Sequence, residues 1–178
     1  MQEIKTAKKI CKTLGIRHKM IEIPWLKSIT NTALVNKNIA IPNTQESSVD
    51  TNALKRAKTV WVPNRNGLFV SIAAAFAESM KCVTIITGFN KEEAKTFPDN
   101  SADFISAMNN ALKLSTANKV RVFAPTGDIT KAAIAMLFVK LKIDVNSIWC
   151  CYHGGKKLCG KCESCVRTIR AFKKIGEF

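Results

Sequence analysis

Four cysteines fall within fifteen residues near the C-terminus, as Cys151, Cys159, Cys162 and Cys165. Their spacing, Cys-x7-Cys-x2-Cys-x2-Cys, puts four thiols within reach of one ion. A tetrahedral Zn²⁺ takes four ionised soft ligands, and a Cys-x2-Cys step wraps the backbone round such an ion. Gly160 eases the turn between two of the ligands. Lys156, Lys157, Lys161 and Arg167 offset the charge of four thiolates. An iron–sulfur cluster is the rival reading, because Cys-x2-Cys-x2-Cys also opens the bacterial ferredoxin run. That run needs a fourth cysteine followed by proline where this chain has Ile169 and Arg170, so the spacing favours zinc. Cys150 adjoins Cys151, and spacing alone does not choose between them. Cys11 and Cys82 sit in apolar patterns and read as core thiols. A four-thiolate site of this kind is expected to be structural.

Three further stretches could carry chemistry. In Trp-Val-Pro-Asn-Arg-Asn, residues 61–66, Pro63 and Asn64 make a turn. Arg65 then opens an apolar helix that Asn66 could cap. An arginine at a helix N-terminus is a suitable anion clamp. In residues 86–101, Gly88 follows Thr87 just past the end of an apolar strand, where ligands bind in open α/β sheets. Asp99 and Asn100 come next, at the start of another helix. Asp99 could orient a base or a metal, and its simpler role is to favour that helix dipole. In residues 124–131, Lys131 follows a strand end and Pro125, within reach of a phosphate or carboxylate; a solvated lysine is the plainer reading.

These positions need a scaffold. Residues 2–14 place Ile4, Ala7, Ile10, Cys11 and Leu14 on one helical face, with Gly15 as the stop. Residues 20–23 read as a short strand ended by Pro24. Residues 39–56 read as a long polar loop holding at most a short helix. Residues 67–80 are apolar nearly all round, which predicts a buried helix. Residues 82–87 form a continuous apolar run, expected to be a central parallel strand covered on both faces. A helix over 100–114 with Asn100 as N-cap, a strand over 120–124 and a helix over 130–141 complete the alternation. That alternation predicts an α/β fold with a parallel sheet. We divide the chain into an α/β domain, residues 1–148, which the family resemblance given below implies is an incomplete nucleotide-binding domain, and a zinc-binding segment, residues 149–178.

With 178 residues and 47 % apolar composition, the chain can bury a core without disulfides. No apolar run is long enough to span a membrane, and the N-terminus does not read as a secretion signal. A cytoplasmic location is expected, where thiols stay reduced. The 28 basic against 13 acidic side chains give +15, a surface that attracts anions. The basic residues are scattered, which favours a solvated lysine-rich surface over a dedicated nucleic-acid face.

Taken together, the motifs resemble those of the 7-cyano-7-deazaguanine synthase family, QueC. The matching segments are Val62-Pro63-Asn64-Arg65-Asn66, Ile86-Thr87-Gly88, Phe97-Pro98-Asp99, Pro125 with Lys131, and Cys151-Tyr152-His153-Gly154 with Cys159-Gly160-Lys161-Cys162 and Cys165. The resemblance implies a Rossmann-like parallel sheet of the adenine nucleotide α-hydrolase type, with helices on both faces. It also implies an ATP-dependent C–N ligase that turns 7-carboxy-7-deazaguanine and ammonia into a nitrile for queuosine and archaeosine tRNA modification. Arg65, Asp99 and Lys131 would then be catalytic, and Asn66, Thr87 and Gly88 would contact the nucleotide. Cys151 rather than Cys150 would join the other three cysteines on one structural zinc. ATP with Mg²⁺ would be the co-substrate and a homodimer the assembly, with direct tRNA binding not favoured. Two departures stand out. The family's Tyr-Pro-Asp-Cys-Arg reads Phe-Pro-Asp-Asn-Ser here, which bears on substrate preference. The family's N-terminal Ser-Gly-Gly-x-Asp-Ser phosphate loop is absent from this sequence, so the sheet is expected to lack its first strands and the chain, by itself, to be inactive. The alternative is a catalytically incomplete, zinc-stabilised module that binds tRNA or a partner.

Overall fold

The computed structural model describes residues 2–177. It falls into two compact units, one spanning Val62–Ile134 and the other made of residues up to Trp61 and from Ala135 onward.

The Val62–Ile134 unit is the α/β part. Helix α3 (Arg65–Ser79) leads into strand β1 (Thr84–Ile86), and helix α4 (Ala102–Ser115) leads into strand β2 (Arg121–Phe123). The strands are parallel, with Ile85 beside Val122. The inward side chains Ile85 and Val122 meet Val70, Ala74 and Ala77 of α3 and Leu112 of α4. Alanines at 74 and 77 let the helix lie close to the strands. Thr116 closes the turn between α4 and β2: its buried hydroxyl donates to Leu112 O (2.7 Å) and accepts from Val120 N–H (2.9 Å). Asn109 of α4 satisfies both backbone groups of Val122, through Nδ2 to its carbonyl (3.2 Å) and Oδ1 from its N–H (2.7 Å). The edge of β2 turned away from β1 is thereby partly closed.

The run 82–87 was expected to be covered on both faces. Among the described residues it is covered on one. Successive strand side chains alternate between faces, and Ile86 at 71 % exposure lies opposite the helix-covered Ile85. Helix α3 likewise buries one side and leaves Phe69 half exposed. The α4 cap is Ser101, whose hydroxyl accepts from Phe104 N–H, and not Asn100, which ends a 3₁₀ turn at Pro98–Asn100.

The other unit holds α1 (Gln2–Thr13), α2 (Ala53–Val60), most of α5 (Lys131–Lys140) and α6 (Glu163–Lys173). Residues 20–23 form no strand; they run irregularly into a 3₁₀ turn at Pro24–Lys27, because no strand among the described residues pairs with them. Residues 39–56 contain a 3₁₀ turn at Glu46–Ser48 and the first half of α2. Ala135 and Phe138 of α5 pack against Ala171 and Phe172 of α6. The Phe138 and Phe172 rings meet edge to face, with centroids 5.9 Å apart.

Helices α1, α3 and α5 end the same way. After α1, Gly15 takes φ +65°, and Ile16 N–H reaches back to Cys11 O (2.8 Å). After α3, Lys81 takes φ +58° and Cys82 N–H bonds Ala77 O (2.8 Å). After α5, Lys142 takes φ +54° and Ile143 N–H bonds Phe138 O (3.0 Å). Each is the left-handed stop in which the third residue past the helix bonds five residues back.

Candidate metal centre and strand-end site

The fold gathers the cysteines in the unit that holds α6. Cys162 is the residue before α6 and Cys165 lies in its first turn. Cys151 and Cys159 come from the preceding loop, where Gly160 takes φ +67° between two of the thiols. The four sulfurs of Cys151, Cys159, Cys162 and Cys165 lie within 4.8 Å of one another. A Zn–S bond of about 2.3 Å gives sulfur–sulfur edges of about 3.8 Å in a tetrahedron. Cys159 Sγ and Cys165 Sγ are 3.9 Å apart. The donor set and its dimensions therefore fit one zinc ion. A four-iron cluster would hold the same thiols further apart by its own bulk. Cys150 packs beside the group but is not one of the four.

The surroundings prepare the thiols unequally. Burial works against charge on Cys159, yet the N–H groups of Cys162 and Lys161 point at its sulfur (3.3 Å each), and its pKa falls to about 7. Burial pushes Cys162 and Cys165 up. Metal binding must therefore drive protons off the deeper thiols.

A charge network stands directly behind this loop. Arg167, only 8 % exposed, reaches Glu163 Oε1 (2.9 Å), Asp50 Oδ1 (2.8 Å) and Val49 O (3.2 Å). Arg56 Nε meets Glu163 Oε2 at 2.9 Å, and Arg56 also donates to Val49 O and Thr51 O. Arg170 holds Asp50 Oδ2 at 2.6 Å. Arg170 and then Arg167 draw the Asp50 carboxyl down to about 2, against the opposing effect of burial. Thr44 N–H bonds Lys161 O at 2.8 Å, so residues 43–56 are fastened both to the cysteine loop and to α6. The sequence reading used Arg167 only as a counter-charge. The Glu163–Arg167 spacing of four was the available signal, but the partners Asp50 and Arg56 lie more than a hundred residues away.

The second site lies in the Val62–Ile134 unit. Helix α3 starts at Arg65, after Asn64 in the left-handed conformation. Asn64, not Asn66, holds the cap position. Asn66 is buried, and its Nδ2 donates to the Asp99 carbonyl at 3.2 Å. The Asn66 backbone N–H also meets the Asp99 carboxylate. Asp99 therefore faces the N-terminus of α3, not that of α4. Burial raises its pKa, against the pull of Asn66 N–H and the Arg65 charge. Asn100 Nδ2 adds a bond to Asp99 Oδ1 at 3.3 Å.

Thr87 continues the ladder one residue beyond β1, through N–H to Phe123 O at 3.0 Å. Its Oγ1 is buried without a hydrogen-bond partner among the described residues. Gly88 has open space where a Cβ would stand. Lys131, the first residue of α5, pairs with Glu93 at 2.9 Å. Arg65, Asn66 and Asp99 thus form one group, while Lys131 sits with Glu93. The segment between the groups is linked by Phe97 N–H to Glu93 O (2.8 Å) and Asn100 N–H to Phe97 O (3.0 Å). Sequence reasoning gave no role to Glu93, or to buried Asn90, whose Oδ1 accepts from Glu93 N–H at 3.1 Å.

Residues 1–176 match the family model described as "Queuosine biosynthesis protein QueC". A curated relative from Methanosarcina mazei is 46 % identical over 98 % of this chain and 78 % of its own length. One from Pelotomaculum thermopropionicum is 47 % identical over 98 % of this chain and 80 % of its own. One from Carboxydothermus hydrogenoformans is 49 % identical over 96 % and 79 %. Each of the three is named 7-cyano-7-deazaguanine synthase. Among the described residues, no helix is long and apolar enough to cross a membrane.

Proposed function

Because the chain belongs to the QueC family, we propose that it serves as a 7-cyano-7-deazaguanine synthase, an ATP-dependent C–N ligase. The carboxylate of 7-carboxy-7-deazaguanine is activated by ATP, with Mg²⁺ on its phosphates, then aminated by ammonia and dehydrated to the nitrile. The observation that carries this reading for the chain's own residues is the gathering of Arg65, Asn66 and Asp99 at the start of α3. There a guanidinium stands beside the Asp99 carboxylate at a helix N-terminus, a cation that can meet anionic substrate groups, and preorganised charges of this kind stabilise developing negative charge. Lys131 supplies a second cation beside a strand end. Thr87 offers an unused hydroxyl, and Gly88 leaves room for a ligand to approach the strand end.

Cys151, Cys159, Cys162 and Cys165 hold a structural zinc that fixes residues 149–178 as a segment appended to 1–148. Zinc supplies no step of the reaction in this reading. The protein works in the cytoplasm, as a homodimer, on small molecules and not on tRNA itself.

The test is Arg65→Ala in the protein expressed from its own gene. Nitrile formation from 7-carboxy-7-deazaguanine, followed by chromatography, should be abolished; full activity would remove Arg65 from the site.

A further inference from the structure

The contact between Glu93 and Lys131 is unusual for a lysine read as an anion ligand. Lys131 is mostly covered, its side chain 15 % exposed, and the ammonium lies 2.9 Å from Glu93 Oε1. The rest of the neighbourhood fastens this carboxylate in place. Thr126 Oγ1 donates to Phe89 O (2.6 Å), Lys91 N–H donates to Ile129 O (3.2 Å), and Lys131 N–H donates to Glu92 Oε1 (3.2 Å). Glu93 itself opens a 3₁₀ turn, Glu93–Lys95, whose first N–H is held by the buried side chain of Asn90. Residues 89–93 are thus strapped along residues 126–131. Glu93–Lys131 is the side-chain ion pair of that strap.

A lysine ammonium has three donors and can hold two oxyanions only if their mutual repulsion is met. An anion arriving at Lys131 must therefore displace Glu93 or bind against its charge. Resting on the reading of Lys131 as an anion contact, we propose that Glu93 is a specificity-determining residue: it occupies the Lys131 ammonium in the anion-free protein and yields it to a substrate oxyanion. Anions of low charge density fail to displace it, whereas a well-placed carboxylate or phosphate succeeds. The occupant is an oxyanion of the bound substrates, either the deazapurine carboxylate or an ATP phosphate.

The test is Glu93→Gln in the protein expressed from its own gene, with the KM for 7-carboxy-7-deazaguanine and for ATP measured separately. Removing the competing charge should lower one of the two KM values by about fivefold, a modest coupling between sites. The substrate whose KM falls is the one that meets Lys131. Two unchanged or raised KM values overturn the proposal. Lys131→Met separates the readings: if it retains full activity, Lys131 is no anion contact and Glu93 loses its role with it. If Lys131→Met is inactive while Glu93→Gln changes neither KM, only the exchange is wrong. Amide exchange of the unsubstituted protein gives a check independent of folding in the variants. Saturation with one of the two substrates should speed exchange at residues 93–95, because the turn loses its anchor; slowed or unchanged exchange with both overturns the proposal.

Discussion

The cysteine loop with α6 and the strand-end site of the Val62–Ile134 unit solve opposite problems. In the first, each charged residue of α6 has a fixed partner: Arg167 joins Glu163, Asp50 and Val49 O, Arg170 holds Asp50, and Lys173 meets Glu46. In the second, groups are left with something to give. Thr87 Oγ1 is buried and unsatisfied, Asp99 carries a carboxylate that burial disfavours, and the Lys131 ammonium pairs with Glu93 at the end of a strap. Satisfied networks hold a fold in one arrangement. Residual strain and unmet bonds mark places where a ligand changes the balance. The difference separates the part that stabilises from the part that acts.

The sharpest way to break this comparison is to remove the metal centre. Cys162→Ser, or a strong chelator, should abolish zinc binding and unfold the cysteine loop and α6. Structural zinc sites contribute on the order of 10–16 kcal/mol of apparent binding free energy. Zinc stoichiometry and circular dichroism would report the loss, and a stable, fully folded zinc-free protein would show that the arginine network suffices.

Arg167→Ala comes next. It leaves Glu163 and the Val49 carbonyl with Arg56 alone and Asp50 with Arg170 alone, and should cost about 2 kcal/mol, seen in denaturant melts. A cost near zero would mean that α6 is held by its apolar face alone.

Asp99→Asn tests the acting side. The raised carboxylate pKa means that Asp99 weakens the fold as pH rises past its ordinary range. The amide should therefore leave the melting temperature unchanged or higher, while nitrile formation falls at least about tenfold. A parallel loss of stability and activity would make Asp99 a structural residue. Asn66→Ala should lower activity less, since Asn66 acts on Asp99 and touches it through one side-chain bond.

The smallest effect concerns Asp50. Its lowered pKa adds stability that is fully present above about pH 4 and is lost as pH falls toward 2. Asp50 is largely exposed and screened by solvent, so the amount is no more than about 1 kcal/mol. Acid melts of Asp50→Asn and the unsubstituted protein should converge near pH 2; a constant gap would assign the effect elsewhere.

The two regions also differed in what the sequence disclosed. The cysteine site spans fifteen residues, and the metal's geometry is written in their spacing, so the four thiols could be grouped before any fold was known. The strand-end residues come from four separate segments. Spacing marks Arg65 and Lys131 only as candidate anion contacts, and resemblance to a family gives them a shared role. Their actual partners were not legible: Asp99 turns to α3 although it adjoins α4 in the chain, and Glu93 looks like any surface acid. The helices of the α/β part were readable because their apolar patterns are long. Residues 20–23 misled because a short apolar run becomes a strand only if another strand lies beside it.

The helix ends after α3 and α5 have a practical consequence. Lys81 and Lys142 hold left-handed backbone that costs a residue with a Cβ about 1 kcal/mol, and Gly15 shows what the same turn looks like without that burden. The chain thus keeps two unused routes to thermal hardening, each a single lysine-to-glycine exchange at a surface turn. Both exchanges would also trim the excess of positive charge. A crystallographer or an enzyme engineer in need of a sturdier protein would begin at these two turns.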